Sequence, residues 1–198
     1  MRLKKLPEKI VCFGDSNTYG YDARSLFGDS FPTEQQWPHM LAAAIGAEVI
    51  NCGMNGRMIP HGPRSVAAEI SAVRRYLPCD LLIIMLGSND ILNGVYRSAG
   101  EMADALKVFL HEFMRTVPEA DFLLIAPPKI SFSPEMKRLS LQMAPFFAAA
   151  AAELGICFAD SDTWGLSLAW DEVHFTAEGH RIFAEHTAEI IRTLAKES

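Results

Sequence analysis

The stretch Ile10-Val11-Cys12-Phe13-Gly14-Asp15-Ser16-Asn17 runs four apolar residues into a glycine and then into a serine. A short, unbroken apolar run of this kind reads as a strand covered on both faces. A strand that stops at Gly14 and presents a hydroxyl at its tip is a suitable mount for a nucleophile. On local grounds alone, the commoner job of a serine between strand and helix is to cap the helix. If Ser16 attacks a carbonyl, then a base, an acid and oxyanion donors must appear downstream. The segment is not a Gly-x-Ser-x-Gly elbow.

Working outward, four more short apolar runs follow, so that strands are predicted over 9–13, 48–52, 81–86, 122–126 and 156–159. Helical spacing separates them. Val66, Ile70, Val73 and Leu77 recur on one face, as do Met102, Leu106, Phe109, Leu110, Phe113 and Val117. Ser98 and Glu101 have the spacing of a capping box. Ser133-Pro134 starts a further helix by N-cap and N1 logic, and Pro145 is expected to kink or split it. A last helix follows Thr176, with Phe183, Thr187, Ile190, Ile191 and Leu194 on one face. Alternation of strand and helix is an α/β signature, and 198 residues with 49% hydrophobic content suit a single domain spanning 1–198.

Composition excludes several functions. Charged residues make up 21% and the net charge is −6, which disfavours nucleic acid as a partner. Arg2, Lys4 and Lys5 form a local basic stretch, but Pro7-Glu8-Lys9 breaks it before any signal-peptide core. No apolar run approaches the roughly 20 residues that span a bilayer, so a cytoplasmic protein with no membrane partner is expected. The sequence does not indicate an oligomer. Cys12, Cys52, Cys79 and Cys157 include no Cys-x-x-Cys pair and read as free, mostly buried thiols.

In open parallel sheets the site lies beyond the carboxyl ends of the strands. Three polar clusters fall there: 14–17, Asn51-Cys52-Gly53-Met54-Asn55-Gly56 and Gly87-Ser88-Asn89-Asp90. Gly53, through its backbone N–H, and Asn89, through its side-chain amide, are candidate oxyanion donors beside Ser16 itself. Each is also an ordinary turn residue. Of six histidines, His61 in a Pro-rich loop and His174 before the last helix could face the cleft. Asp171 precedes His174 by three residues. That spacing lets a carboxylate fold back on Nδ1–H and leaves Nε2 for a serine.

Four blocks thus occur in order: Gly14-Asp15-Ser16, Gly53, Gly87-Ser88-Asn89-Asp90 and Asp171-x-x-His174. Together they resemble the SGNH/GDSL hydrolase family of esterases and lipases, and most closely its small arylesterase and acyltransferase-like members. The resemblance covers nearly the whole chain. It implies a flavodoxin-like three-layer α/β/α fold with a five-stranded parallel sheet in the order 2-1-3-4-5. It implies Ser16 as nucleophile, His174 rather than His61 as base, and Asp171 as its orienting acid. The implied oxyanion hole is Ser16, Gly53 and Asn89, with no metal and no organic cofactor. Family members often carry Thr where this chain has Ser88, and a small residue where it has Glu172.

The expected substrate is a small ester with a short acyl group, acetyl above all, on an aryl, alkyl or sugar alcohol. Transfer of the acyl group to another alcohol is a variant of the same chemistry. Asp15, Asn17, Arg57, Ser88, Trp164 and Trp170 are candidate substrate-binding residues, and loops 19–32, 57–63, 91–97 and 161–170 are expected to line the pocket; Trp164 and Trp170 read equally well as core or loop anchors. Two other readings stand beside this one. A metal-dependent phosphoesterase would use Asp15, Asn89, Asp90 and His174 as ligands, but the ligand run is incomplete. A non-catalytic binding module would be expected to carry a broken triad.

Overall fold

A computed structural model describes residues 3–25 and 27–196. Arg2, from the basic N-terminal stretch, lies outside the described residues. Five parallel strands are formed: β1 (Lys9–Gly14), β2 (Glu48–Gly53), β3 (Leu81–Met85), β4 (Asp121–Ala126) and β5 (Cys157–Asp160). Their order is β2-β1-β3-β4-β5. Helices α1 (Ser16–Tyr19), α2 (Trp37–Ile45), α3 (Pro63–Val73), α4 (Ser88–Leu92), α5 (Ala99–Thr116), α6 (Pro134–Leu154) and α7 (Ala177–Lys196) make up the rest, with short 3-10 turns between. The α/β fold and strand order are those implied by the motif blocks.

Side chains alternate across the sheet, as the two-residue strand period requires. Val11, Phe13, Leu82, Ile84, Phe122 and Leu124 face one core with α3, α5 and α6. Ile10, Cys12, Leu81, Ile83, Leu123 and Ile125 face the other with α2 and α7. Strands β1, β3 and β4 are therefore buried on both faces, which explains their continuous apolar runs. Strand β2 departs from that expectation. It is an edge strand, and none of its residues is fully buried.

Helix starts follow their capping chemistry, with two differences. Ser98 Oγ accepts from Glu101 N–H at 3.2 Å, but Glu101 Oε2 accepts from Arg97 N–H, one residue earlier than a standard box. Ser133 Oγ caps α6 by accepting from Met136 N–H at 3.1 Å. Helix α6 then continues through Pro145 without being split. The carbonyl deprived of a partner there is four residues back at Leu141, which is exposed and lets water satisfy it.

The sheet register delivers the polar clusters to one rim. Gly14 at the end of β1 is paired with Gly53 on β2 and with Met85 on β3. The segments that follow these three residues therefore leave the sheet side by side. Thr176 caps α7 through Gly179 N–H→Oγ1 at 3.1 Å, and places the 171–175 loop above the same edge.

Candidate active site

Ser16 is the first residue of α1, yet its hydroxyl does not cap the helix. Asp15 does that, its Oδ1 accepting from Asn17 N–H at 3.0 Å. The Ser16 hydroxyl is left for a different partner, and His174 Nε2 lies 2.9 Å from Ser16 Oγ. His174 Nδ1 in turn lies 2.6 Å from Asp171 Oδ2. With the carboxylate accepting at Nδ1–H, Nε2 is the ring nitrogen able to take the serine proton. His61 is instead placed near Asp90.

Asp171 is a well-supported anion. Burial pushes its carboxyl up, but the His174 N–H, the His174 ring and the Val173 N–H outweigh that and hold it below the ordinary range. It is therefore ionised throughout the neutral range. The Tyr21 ring packs against the His174 imidazole at 4.5 Å between centroids, limiting how far the ring can swing. Tyr21 belongs to the 19–32 loop expected at the pocket.

The donors around Ser16 Oγ require one correction. Gly53 N–H already donates to Asn51 Oδ1 at 2.8 Å, so it is not a free oxyanion donor. Gly53 does not adopt positive φ either; its glycine is explained by close approach, since a Cβ there would lie 2.0 Å from Tyr19 N. Gly56 on this loop is exposed, sits at φ 73°, and its N–H has no hydrogen-bond acceptor among the described residues. The sequence suggests Gly53 rather than Gly56 as a donor because Gly53 is the first glycine after the strand. The signal for Gly56 was Asn55-Gly56, a dipeptide that marks a turn needing a left-handed residue. That turn closes with Arg57 N–H→Met54 O at 3.2 Å.

Asn89 is tied to the same turn. Its Nδ2 donates one hydrogen to Arg57 O at 3.1 Å and keeps its second hydrogen for another acceptor. Ile59 N–H also reaches both Asp90 carboxylate oxygens, at 3.2 and 3.1 Å. The loop after β2 is thus fastened to the loop after β3 at two points. Ser16 N–H, at the helix start, has no acceptor among the described residues.

Most of the residues expected to touch substrate do something else. Arg57 is buried, donates to Gly14 O at 2.8 Å and also to Cys52 O, and lies 4.1 Å above the Phe13 ring. Its Nε sits 3.3 Å from Glu69. It fastens the ends of β1 and β2 from inside. Asp15 and Ser88 are buried, and Asn17 is buried with its carboxamide directed at the His174 loop. Burial pushes Asp15 up to about 7, with the Asn17 N–H and Arg57 pulling it back and Asp90 adding to the rise. Asp90 itself is raised to about 6 by burial. Trp164 packs on Phe183 and stacks on His186, so it anchors its loop to α7. Trp170 is exposed and donates from Nε1 to Ala23 O at 3.1 Å, joining the 161–170 loop to the 19–32 loop.

A cavity of about 320 Å³ adjoins the loop that carries Asp171 and His174. Glu172, held at φ 53°, lines it together with Lys129, Ser131, Asp162 and Leu168. Apolar side chains such as Leu166 and Leu168 share its lining with the charged ones, and Ser16, Asn89 and His174 are not part of it. Among the described residues, no helix is long and apolar enough to cross a membrane.

Known proteins share this fold. The chain is similar to the aryl esterase of M. smegmatis at 26% identity, covering 94% of this chain and 99% of that one with a TM-score of 0.83. A putative arylesterase from Agrobacterium tumefaciens str. C58 matches at 27% identity, over 94% and 99%, with a TM-score of 0.80. A carbohydrate acetylesterase family member from Sinorhizobium meliloti shares the fold at 24% identity, over 96% and 99%, with a TM-score of 0.83. No curated protein sequence matches significantly. The model of the GDSL-like Lipase/Acylhydrolase family matches residues 12–182, most of the chain and all the blocks described above. The chain therefore belongs to the GDSL-like lipase and acylhydrolase family, and it is a carboxylic-ester hydrolase of the serine type.

Proposed function

We propose that Ser16, His174 and Asp171 form the catalytic triad of an esterase that cleaves short acyl esters, acetyl above all, of aryl, alkyl or sugar alcohols. The observation that carries this reading is the continuous line from Ser16 Oγ through the His174 ring to Asp171, at 2.9 and 2.6 Å. His174 Nε2 takes the Ser16 proton as Oγ bonds to the ester carbonyl carbon. The carbonyl electron pair moves onto oxygen. It returns as the C–O bond to the alcohol breaks, and His174 gives its proton to that alcohol. A water, deprotonated by the same nitrogen, then releases the acid and restores Ser16. An alcohol in place of water gives acyl transfer.

The negative oxygen requires donors aimed at it. Ser16 N–H, Gly56 N–H and the second Asn89 Nδ2 hydrogen are the proposed set. Gly56 replaces Gly53 because the Gly53 N–H is occupied. Asn89→Ala is expected to lower kcat by roughly 10²–10³-fold with KM little changed, since the oxyanion exists only at the transition state. Steady-state hydrolysis of p-nitrophenyl acetate reads this out; an unchanged kcat removes Asn89 from the set.

Short acyl groups and small alcohols are supported by the arylesterase and acetylesterase neighbours. The metal-dependent phosphoesterase reading has no comparable support, and family membership does not favour it. Four cysteines without disulfides fit a reducing compartment, which supports a cytoplasmic location. The test is a panel of p-nitrophenyl esters from acetate to decanoate, with acetylated sugars beside them and Ser16→Ala as blank. The expected kcat/KM is highest at acetate or propionate and falls with chain length. A maximum at octanoate or beyond overturns the short-acyl assignment.

A further inference from the structure

We propose that Asn17 is a positioning residue that locks the histidine-bearing loop onto the nucleophile-bearing helix. The proposal rests on the triad reading above and adds to it. Asn17 follows Ser16 directly and is buried in α1. Its Nδ2 donates to Val173 O at 3.0 Å, and its Oδ1 accepts from Phe175 N–H at 2.9 Å. One carboxamide therefore brackets His174, holding the peptide group on each side of it. Both bonds join residues more than 150 positions apart.

The backbone polar groups of this loop can be followed in full from Val173 N to Phe175 N. Val173 N–H and His174 N–H donate to Asp171 Oδ1. His174 O accepts from Ala169 N–H at 2.7 Å. Val173 O and Phe175 N–H are left, and Asn17 takes both. Asp171 thus orients the ring from its own loop, whereas Asn17 fixes that loop relative to Ser16. The second kind of contact ties the loop to the nucleophile's own helix, and so bears directly on the distance from Nε2 to Oγ.

The residue type follows from the geometry. The loop offers one acceptor and one donor, and a carboxamide supplies the matching donor and acceptor on a single short side chain. An aspartate has the same shape but only acceptors when ionised. It would keep the Phe175 N–H bond and set an oxygen against Val173 O. The main chain of Asn17 is held as well, since Trp37 Nε1–H donates to Asn17 O at 3.1 Å. The clamp therefore stands on a rigid base.

The experiment compares Asn17→Asp with the wild-type enzyme and with Ser140→Ala, which removes a buried side-chain bond to Ile130 N–H away from the triad. Active sites are titrated by the p-nitrophenol burst, so that kcat is expressed per functional serine. For Asn17→Asp, kcat per site should fall about 10- to 100-fold with KM within about threefold, because a small misplacement of base from nucleophile acts on the chemical step. Ser140→Ala should lower Tm and leave kcat per site unchanged. Wild-type kcat per site in folded Asn17→Asp overturns the proposal, and so does a loss confined to Tm or to the number of titratable sites. Should the aspartate not fold, Asn17→Ala carries the same test, with the same outcome in kcat per site deciding it. Ser16→Ala is run in parallel. If that variant keeps its activity, the triad reading itself fails; if it is inactive while Asn17→Asp is not impaired, only the clamp fails.

Discussion

Ser16→Ala is expected to lower kcat for p-nitrophenyl acetate by roughly 10⁴-fold or more while leaving the fold intact. The size of the loss follows from what the hydroxyl does in the mechanism: without it no acyl-enzyme forms, and only binding and the oxyanion donors remain. The harmless effect on folding follows from what the hydroxyl does not do. Asp15, not Ser16, caps α1, and the only side-chain hydrogen bond of Ser16 goes to His174 among the described residues. Alanine is also favourable inside a helix. The checks are steady-state kinetics and a thermal melt on the same sample. A melt near wild type with activity near wild type would remove Ser16 from the mechanism.

Asp171→Asn should cost about 10⁴-fold in kcat near neutral pH, for a different reason. Asp171 Oδ1 accepts two backbone N–H groups, and Oδ2 faces His174 Nδ1. An asparagine keeps its single oxygen at the two backbone donors and turns its NH₂ toward Nδ1. Nδ1 must then accept, so the ring proton moves to Nε2. That nitrogen can no longer take a proton from Ser16. Binding contacts are untouched, so KM should stay within a few-fold. The kinetics check this directly, and a drop of less than tenfold would show that Asp171 does not set the tautomer.

The layered fold could be read because its strands are buried on both faces. Runs such as 10–13 and 81–86 have no polar residue to obscure them, and the helices between them keep a 3.6-residue spacing. The edge position of β2 was not visible, since Val49 and Ile50 look like core residues whichever side they face. Strand order came from the family resemblance, because hydrophobic periodicity does not specify which strands are neighbours. The roles of Ser16, Asp171 and His174 came from the family resemblance, because spacing and residue type alone left Ser16 as a helix cap and His61 open beside His174. Loop side chains have no period, and that is where the reading failed. Arg57 looked like a cleft cation, yet the carbonyls of Gly14 and Cys52 and the face of Phe13 draw it inward. Trp164 read equally well as a pocket wall or a loop anchor, and it packs as an anchor on α7. At the oxyanion loop, two glycines three residues apart serve different needs. Gly53 gives clearance to α1, whereas Gly56 turns the chain and leaves an N–H open.

The central claim is that ester cleavage passes through a covalent bond to Ser16. Its most direct test is to inactivate the enzyme with diethyl p-nitrophenyl phosphate and map the adduct by peptide mass spectrometry. The account predicts one diethylphosphoryl group per inactivated chain, on Ser16, with labelling suppressed in His174→Ala. Complete inactivation with the adduct on another residue, or full labelling of Ser16 with esterase activity undiminished, would contradict it.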